Sequence, residues 1–202
     1  MEIRIYAEGG GDGKESRAQI RAGFHSFLRD LIQVARDKGF RFNIVPCGPR
    51  NAAFEAFKNS LHANPGAVNL LLVDSEGELQ GTPWRHLELR DGWPPIGISD
   101  DRCHLMVQAM ESWLIADRTA LAHFYGPNFN PNQIPGNQNV EEIDRHILLV
   151  GLKHATRNTT KGEYQKVRHA SQLLALLDVN AVRGRAPNCE RLFSTLQNVL
   201  VS

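Results

Sequence analysis

The chain has 202 residues, 42% of them hydrophobic, and a formal net charge of +1. That length suits one domain, or one domain with an elaboration, and folds without disulfides; the near-neutral balance excludes a global basic field for nucleic acid but not a local patch. Three widely spaced cysteines, Cys47, Cys103 and Cys189, with no C-x-x-C pair, argue against a disulfide framework and against a zinc knuckle.

The N-terminal segment MEIRIYAEGG has an acidic second residue and a very short apolar run, unlike a signal peptide. No run approaches the ~18 apolar residues of a membrane span. The expectation is a soluble, cytoplasmic protein with no membrane partner.

In chain order, IRIYA (Ile3 to Ala7) reads as a strand. From Glu15 to about Lys38, apolar residues such as Ile20, Phe24, Leu28 and Leu31 recur at steps of three and four, which predicts one amphipathic helix. FRFNIV (Phe40 to Val45) alternates and reads as a strand. CGPRN is a turn, and Phe54, Phe57 and Leu61 mark a second helix, closed by NPG. AVNLLLV (Ala67 to Val73) is a short, mainly apolar run, as in a buried parallel strand. The tryptophan- and turn-rich segment after it predicts an irregular excursion with a short helix. CHLMVQAM (Cys103 to Met110) returns to strand character, and ESWLIADRTALAHFYG reads as helix up to Gly126. Pro127 to Asn139 is a polar, proline-rich loop expected to be mobile. Helices are expected over Val140 to Leu149, Gly162 to Leu177 and after Pro187.

Alternating strands and helices with short links predict an α/β fold: an open, mostly parallel, Rossmann-like sheet flanked by helices. The expected organisation is an α/β core over 1–126 and a loop and helical C-terminal extension over 127–202, packed on the core. In such sheets ligands bind at the carboxyl ends of the strands.

The first strand ends in EGGGDGKES, which invites a phosphate-binding reading. Aligned on Gly13-Lys14, the P-loop pattern places Glu8 in its first glycine slot and Glu15 in its hydroxyl slot. A carboxylate there repels phosphate, Asp12 adds another charge, and G-x-G-x-x-G fails in every register. A metal site is the better reading. Magnesium and manganese take carboxylate oxygens, and two-metal phosphoryl-transfer sites need several acids converging from different strands. Glu8 ends the first strand; Asp74 and Glu76 end the third and share a side if the backbone stays extended. Glu111 follows the fourth strand, and Asp12 is an optional extra ligand in the glycine loop.

A strand ending in EG, then a helix, then a strand ending in D-x-D or D-x-E, resembles the TOPRIM pattern of topoisomerases, primases and related nucleases. Glu8 matches its glutamate; Asp74 and Glu76 match its acidic pair, with glutamate where most members have aspartate. The whole chain also resembles a bacterial family of unknown function assigned as TOPRIM-like, through CGPRNAAFEAF, MESWLIAD, YQKVRHASQLL and APNCERLFSTL. The resemblance implies a TOPRIM-like fold, and a genomic neighbour that is an ATPase in phage-defence-like loci.

Lys153 to His169 is the one strongly basic tract, with Lys153, Arg157, Lys161, Lys166 and Arg168 available to a nucleic-acid backbone. Lys166, in the family-like YQK element, is the preferred cation for the scissile phosphate, and Arg50 in CGPRN is a further candidate. Trp84 and Trp93 read as loop packing before base stacking, and His104 as a core or edge histidine. The expectation is a Mg2+- or Mn2+-dependent nuclease in which Glu8, Asp74 and Glu76 ligate metal, Glu111 is a further ligand or general base, and Lys166 neutralises the phosphate. The alternative is a non-catalytic, TOPRIM-shaped regulatory or adaptor partner of an ATPase.

Overall fold

The computed structural model describes residues 1–11, 13–94 and 97–201. Asp12, expected as an extra ligand, lies outside them.

Four strands form one wholly parallel sheet: β1 (Glu2–Ala7), β2 (Arg41–Pro46), β3 (Ala67–Asp74) and β4 (Cys103–Met106), in the order β2-β1-β3-β4. Register puts Ala7 beside Leu72 and Asp74 beside Met106. The period-two rule sorts each strand between two cores. Ile3, Ile5, Ala7, Leu70 and Leu72 face one hydrophobic cluster; Tyr6, Leu71, Val73 and Leu105 face the other. Both faces of β3 are therefore covered, which explains its apolar run from Leu70 to Val73.

Helices α1 (Lys14–Phe27) and α2 (Arg29–Asp37) cover the first face. The single helix expected there is interrupted at Leu28, whose dihedrals are φ −99°, ψ 12°, although Ile32 N–H still donates to Leu28 O. Helices α3 (Arg50–Ala63) and α4 (Pro83–Asp91) cover the second face through Phe54, Phe57, Trp84 and Leu87. Trp93 stacks on Phe54 at 4.2 Å, so both excursion tryptophans are core groups. The chain moves outward from β1 to β2, then crosses back to β3. The helices that follow β1 and β3 lie on opposite faces, which opens a crevice at the carboxyl ends of these two neighbours.

The segment expected as one long strand ends at Met106, and one long helix becomes two: α5 (Met110–Ala116) and α6 (Arg118–Tyr125). Asp117 separates them and caps α6 by accepting from Ala120 N–H. Beyond Gly126 come α7 (Arg145–Thr156), α8 (Lys166–Leu174), a short unforeseen α9 (Val179–Arg183) and α10 (Pro187–Val201). Their Leu148, Leu152, Leu173 and Leu196 join the same cluster as Ile3 and Trp113. The proline-rich loop, expected to be mobile, is tied down instead. Arg118 donates to Ile134 O and Pro135 O, Asn130 N–H donates to Ala155 O, and Ile134 is buried.

Helices α1 and α8 approach closely because Gly23 has no side chain. A Cβ there would stand 2.6 Å from Ser171 O, a backbone atom. Gly23→Ala gains helix propensity of about 1 kcal/mol but forces the helices apart. We expect a net destabilisation of ~1–3 kcal/mol, read as a lower urea midpoint.

Candidate metal centre

The crevice between β1 and β3 is where the acids meet. Glu8 extends the ladder by one residue, donating its N–H to Leu72 O at 2.9 Å. Its Oε2 accepts Asp74 N–H at 3.0 Å, so the glutamate caps the end of the neighbouring strand. The glycines that follow have a structural reason. Gly9, Gly10 and Gly11 take φ of +125°, +84° and +54°, which side chains disfavour. A Cβ on Gly10 would also lie 2.8 Å from Arg17 Cα. The run folds back onto the first turn of α1 and leaves bare backbone beside Glu8.

Asp74 is 1% exposed and fully engaged. Its Oδ1 accepts Met110 N–H at 2.8 Å, its Oδ2 accepts Lys166 Nζ at 2.9 Å, and its carbonyl accepts Arg50 Nη1 at 3.0 Å. The early end of β4 matters here: the chain turns after Met106 so that the start of α5 reaches this carboxylate. After β3 the backbone does not stay extended. Glu76 takes φ +62°, a left-handed conformation rare outside glycine. Its N–H donates to Gln108 O at 2.8 Å, and its Oε2 meets Arg145 at 2.6 Å and Arg90 at 3.8 Å. Even so, one oxygen each from Glu8, Asp74 and Glu76 lie within 4.8 Å of one another. Three oxygen donors at that spacing suit a hard divalent cation.

The charge balance is uneven. Burial, and then the Asp74 charge, push the Glu8 carboxyl up to about 7; Arg50, the Asp74 N–H and Lys166 pull it down less strongly. The Lys166 side chain is 43% exposed along its length, but its Nζ turns inward, 2.9 Å from Asp74 and 3.5 Å from Glu111. Burial disfavours that ammonium, yet Asp74, Glu111 and Glu8 together hold it above the ordinary lysine range. Lys166 therefore stays charged at neutral pH.

Glu111 lies beside the three acids rather than among them. It is 1% exposed, accepts the Tyr164 hydroxyl at 2.9 Å on Oε1, and holds Lys166 through Oε2. Burial, then the Glu111 charge, raise Tyr164 well above the usual phenol range, so the hydroxyl remains a donor. Tyr164→Phe leaves a buried carboxylate oxygen without its partner. We expect a loss of ~1–3 kcal/mol, measurable by thermal unfolding.

The basic residues divide. Lys153, Arg157, Lys161 and Arg168 are exposed on the end of α7, on α8 and on the segment between them. Lys153 is 3.5 Å from Glu163, and Lys161 lies 4.6 Å over the Phe124 ring. Arg50 stands apart, half-buried between the Asp74 carbonyl and Asp91, to which it donates at 2.7 Å. It braces the end of β3 rather than facing solvent. Arg145, Arg90 and Tyr164 were not anticipated. Arg90 comes from α4, the first helix after β3, and Arg145 from α7; Tyr164 opens the YQK element that supplies Lys166, but nothing in that pattern gives the tyrosine its own role.

A family model described as a domain of unknown function (DUF4276) matches residues 7–197. The chain belongs to this family. The match to the DUF4276 model begins just before Glu8 and runs past α8, so it takes in Glu8, Asp74, Glu76, Glu111 and Lys166. No curated protein and no solved structure matches the chain.

Proposed function

We propose that this DUF4276 chain is a TOPRIM-like, magnesium- or manganese-dependent nuclease that hydrolyses phosphodiesters in nucleic acid. The observation that carries the reading is the convergence of Glu8, Asp74 and Glu76 at the carboxyl ends of adjacent parallel strands. Burial and the Asp74 charge raise the Glu8 carboxyl to about 7, and a bound cation would offset that cost of ionising it. Glu8, Asp74 and Glu76 would hold the ion. When bound, it supplies Lewis-acid stabilisation of charge on the phosphate oxygens.

The remaining roles belong to the chain itself. Lys166 brings a permanent positive charge to the phosphate. Glu111 and Tyr164 hold that ammonium in place, so Glu111 is a positioning residue rather than a ligand. The exposed Lys153, Arg157, Lys161 and Arg168 offer phosphate contacts that draw the polymer to this side. Cytoplasmic action, as the effector of an ATPase-linked phage-defence system, fits the TOPRIM resemblance.

One observation favours a second reading. Lys166 and Arg145 already compensate Asp74 and Glu76 within the protein, as in a metal-free, non-catalytic partner of an ATPase. The two readings separate in assays on DNA and RNA with magnesium or manganese, comparing wild type with Glu8→Ala and Asp74→Ala. The nuclease reading expects cleavage by the wild type only. Cleavage that survives both substitutions overturns the metal assignment, and no metal binding at millimolar concentration favours the adaptor.

A further inference from the structure

We propose that the cavity beside the acids holds one unpaired nucleobase, so that the substrate is a single strand or a frayed end rather than an intact duplex. This rests on reading Glu8, Asp74 and Glu76 as the metal centre. The cavity measures about 280 Å3 and is lined at one end by Glu8, Asp74 and Lys166. Its buried lining is mostly apolar, with Ile20, Met106, Met110 and Ala170, and Ser171 adds one buried hydroxyl. The bare backbone of Gly9 to Gly11 also lines it, and Val167, 64% exposed, stands at its margin.

This combination selects a ligand class. An anionic group fits at the lysine and the metal centre. Directly beside it, a flat, weakly polar group fits against polarisable methionine thioethers and against peptide planes that carry no side chain. A nucleotide joins those two parts. A base in a duplex stack cannot enter a pocket unless it is unpaired or extruded, at a cost of a few kcal/mol. The neighbouring cleft on the Glu76 side sets Glu76, Glu78, Glu141, Glu142 and Asp144 against the single cation Arg145, so it is acidic on balance. That cleft repels a polyanion, so the strand comes from the side of α8.

The test uses nucleoside 5′-monophosphates, which contain no diester to be cleaved. Calorimetry in manganese compares AMP, dAMP and ribose 5-phosphate, which lacks the base. We expect both nucleotides to bind about tenfold more tightly than the sugar phosphate, equivalent to ~1.4 kcal/mol; the AMP to dAMP ratio then separates RNA from DNA as the source. Val167→Trp, at an exposed helix position, is expected to erase the nucleotide preference, and Val167→Ala to keep affinity within about twofold. Both should leave manganese affinity unchanged. In competition, a single strand should displace AMP about tenfold better than a blunt duplex. Equal binding of AMP, dAMP and ribose 5-phosphate overturns the proposal, as does a preference that survives Val167→Trp or equal competition by the duplex. A wild type that binds no manganese yet prefers nucleotides overturns the metal reading while upholding the base pocket.

Discussion

Asp74→Asn is expected to lower the proposed metal-dependent hydrolysis by about 10³-fold, the scale of losing a central electrostatic group in an active site. Asparagine has the same shape, so the fold should survive with a defined injury. One terminal atom of the aspartate accepts Met110 N–H and the other accepts the Lys166 ammonium. An amide has only one acceptor oxygen, so one of those donors then faces an NH2 group. We expect a cost of ~1–3 kcal/mol, or roughly 2–4 °C in Tm for each kcal/mol at this chain length. A cooperative melting transition lowered by no more than that amount, alongside lost activity and lost metal binding, separates the chemical role from a structural one. If Asp74→Asn melts as expected and still cleaves at the wild-type rate, Asp74 is not a ligand.

The second large effect is a pH dependence set by Glu8. Its carboxyl is pushed up to about 7 in the folded chain, from an ordinary value of 4.5, by burial and by the charge on Asp74. A metal must displace the proton that Glu8 holds below that value. Metal affinity is therefore expected to fall about tenfold per pH unit below pH 7 and to level off above it. Stability in the absence of metal runs the other way. The folded state binds more protons than the unfolded state between pH 4.5 and about 7, so this contribution is present below 4.5 and is lost as pH rises through about 7. Added metal should raise Tm much more at pH 8 than at pH 5.5 (roughly, one ligand's proton is at stake). Glu8→Gln should flatten both profiles, and a wild-type affinity that does not change across this range would contradict the assignment.

Much of the scaffold was legible because its signals are local. Alternation in β2, the apolar run of β3 and the three-and-four periodicity of α1 each reflect burial against a layer, and these determine an α/β sheet. The acids at strand ends were legible for the same reason, since Glu8 and Asp74 follow directly from their strands. Boundaries failed where a single residue changes the backbone. Asp117 splits one expected helix by capping the next, and the chain leaves β4 at Met106 to bring Met110 N–H to Asp74. Glu76 shows the limit of spacing arguments. It reaches the other two acids through a left-handed residue rather than an extended one, and Arg145 arrives from far along the chain to hold it. The basic tract divided in a way composition does not predict: Lys166 turns inward because Asp74 and Glu111 lie beneath the start of α8, while its neighbours remain outside.

The central claim is that Glu8, Asp74 and Glu76 together hold one hard cation in the crevice between β1 and β3. Anomalous diffraction from a manganese-soaked crystal at pH 8 tests it most directly. We expect a peak about 2.0–2.2 Å from a carboxylate oxygen of each of the three residues, with Lys166 Nζ displaced from Asp74. A peak bound by other groups, or no peak in this crevice at millimolar manganese, would contradict it.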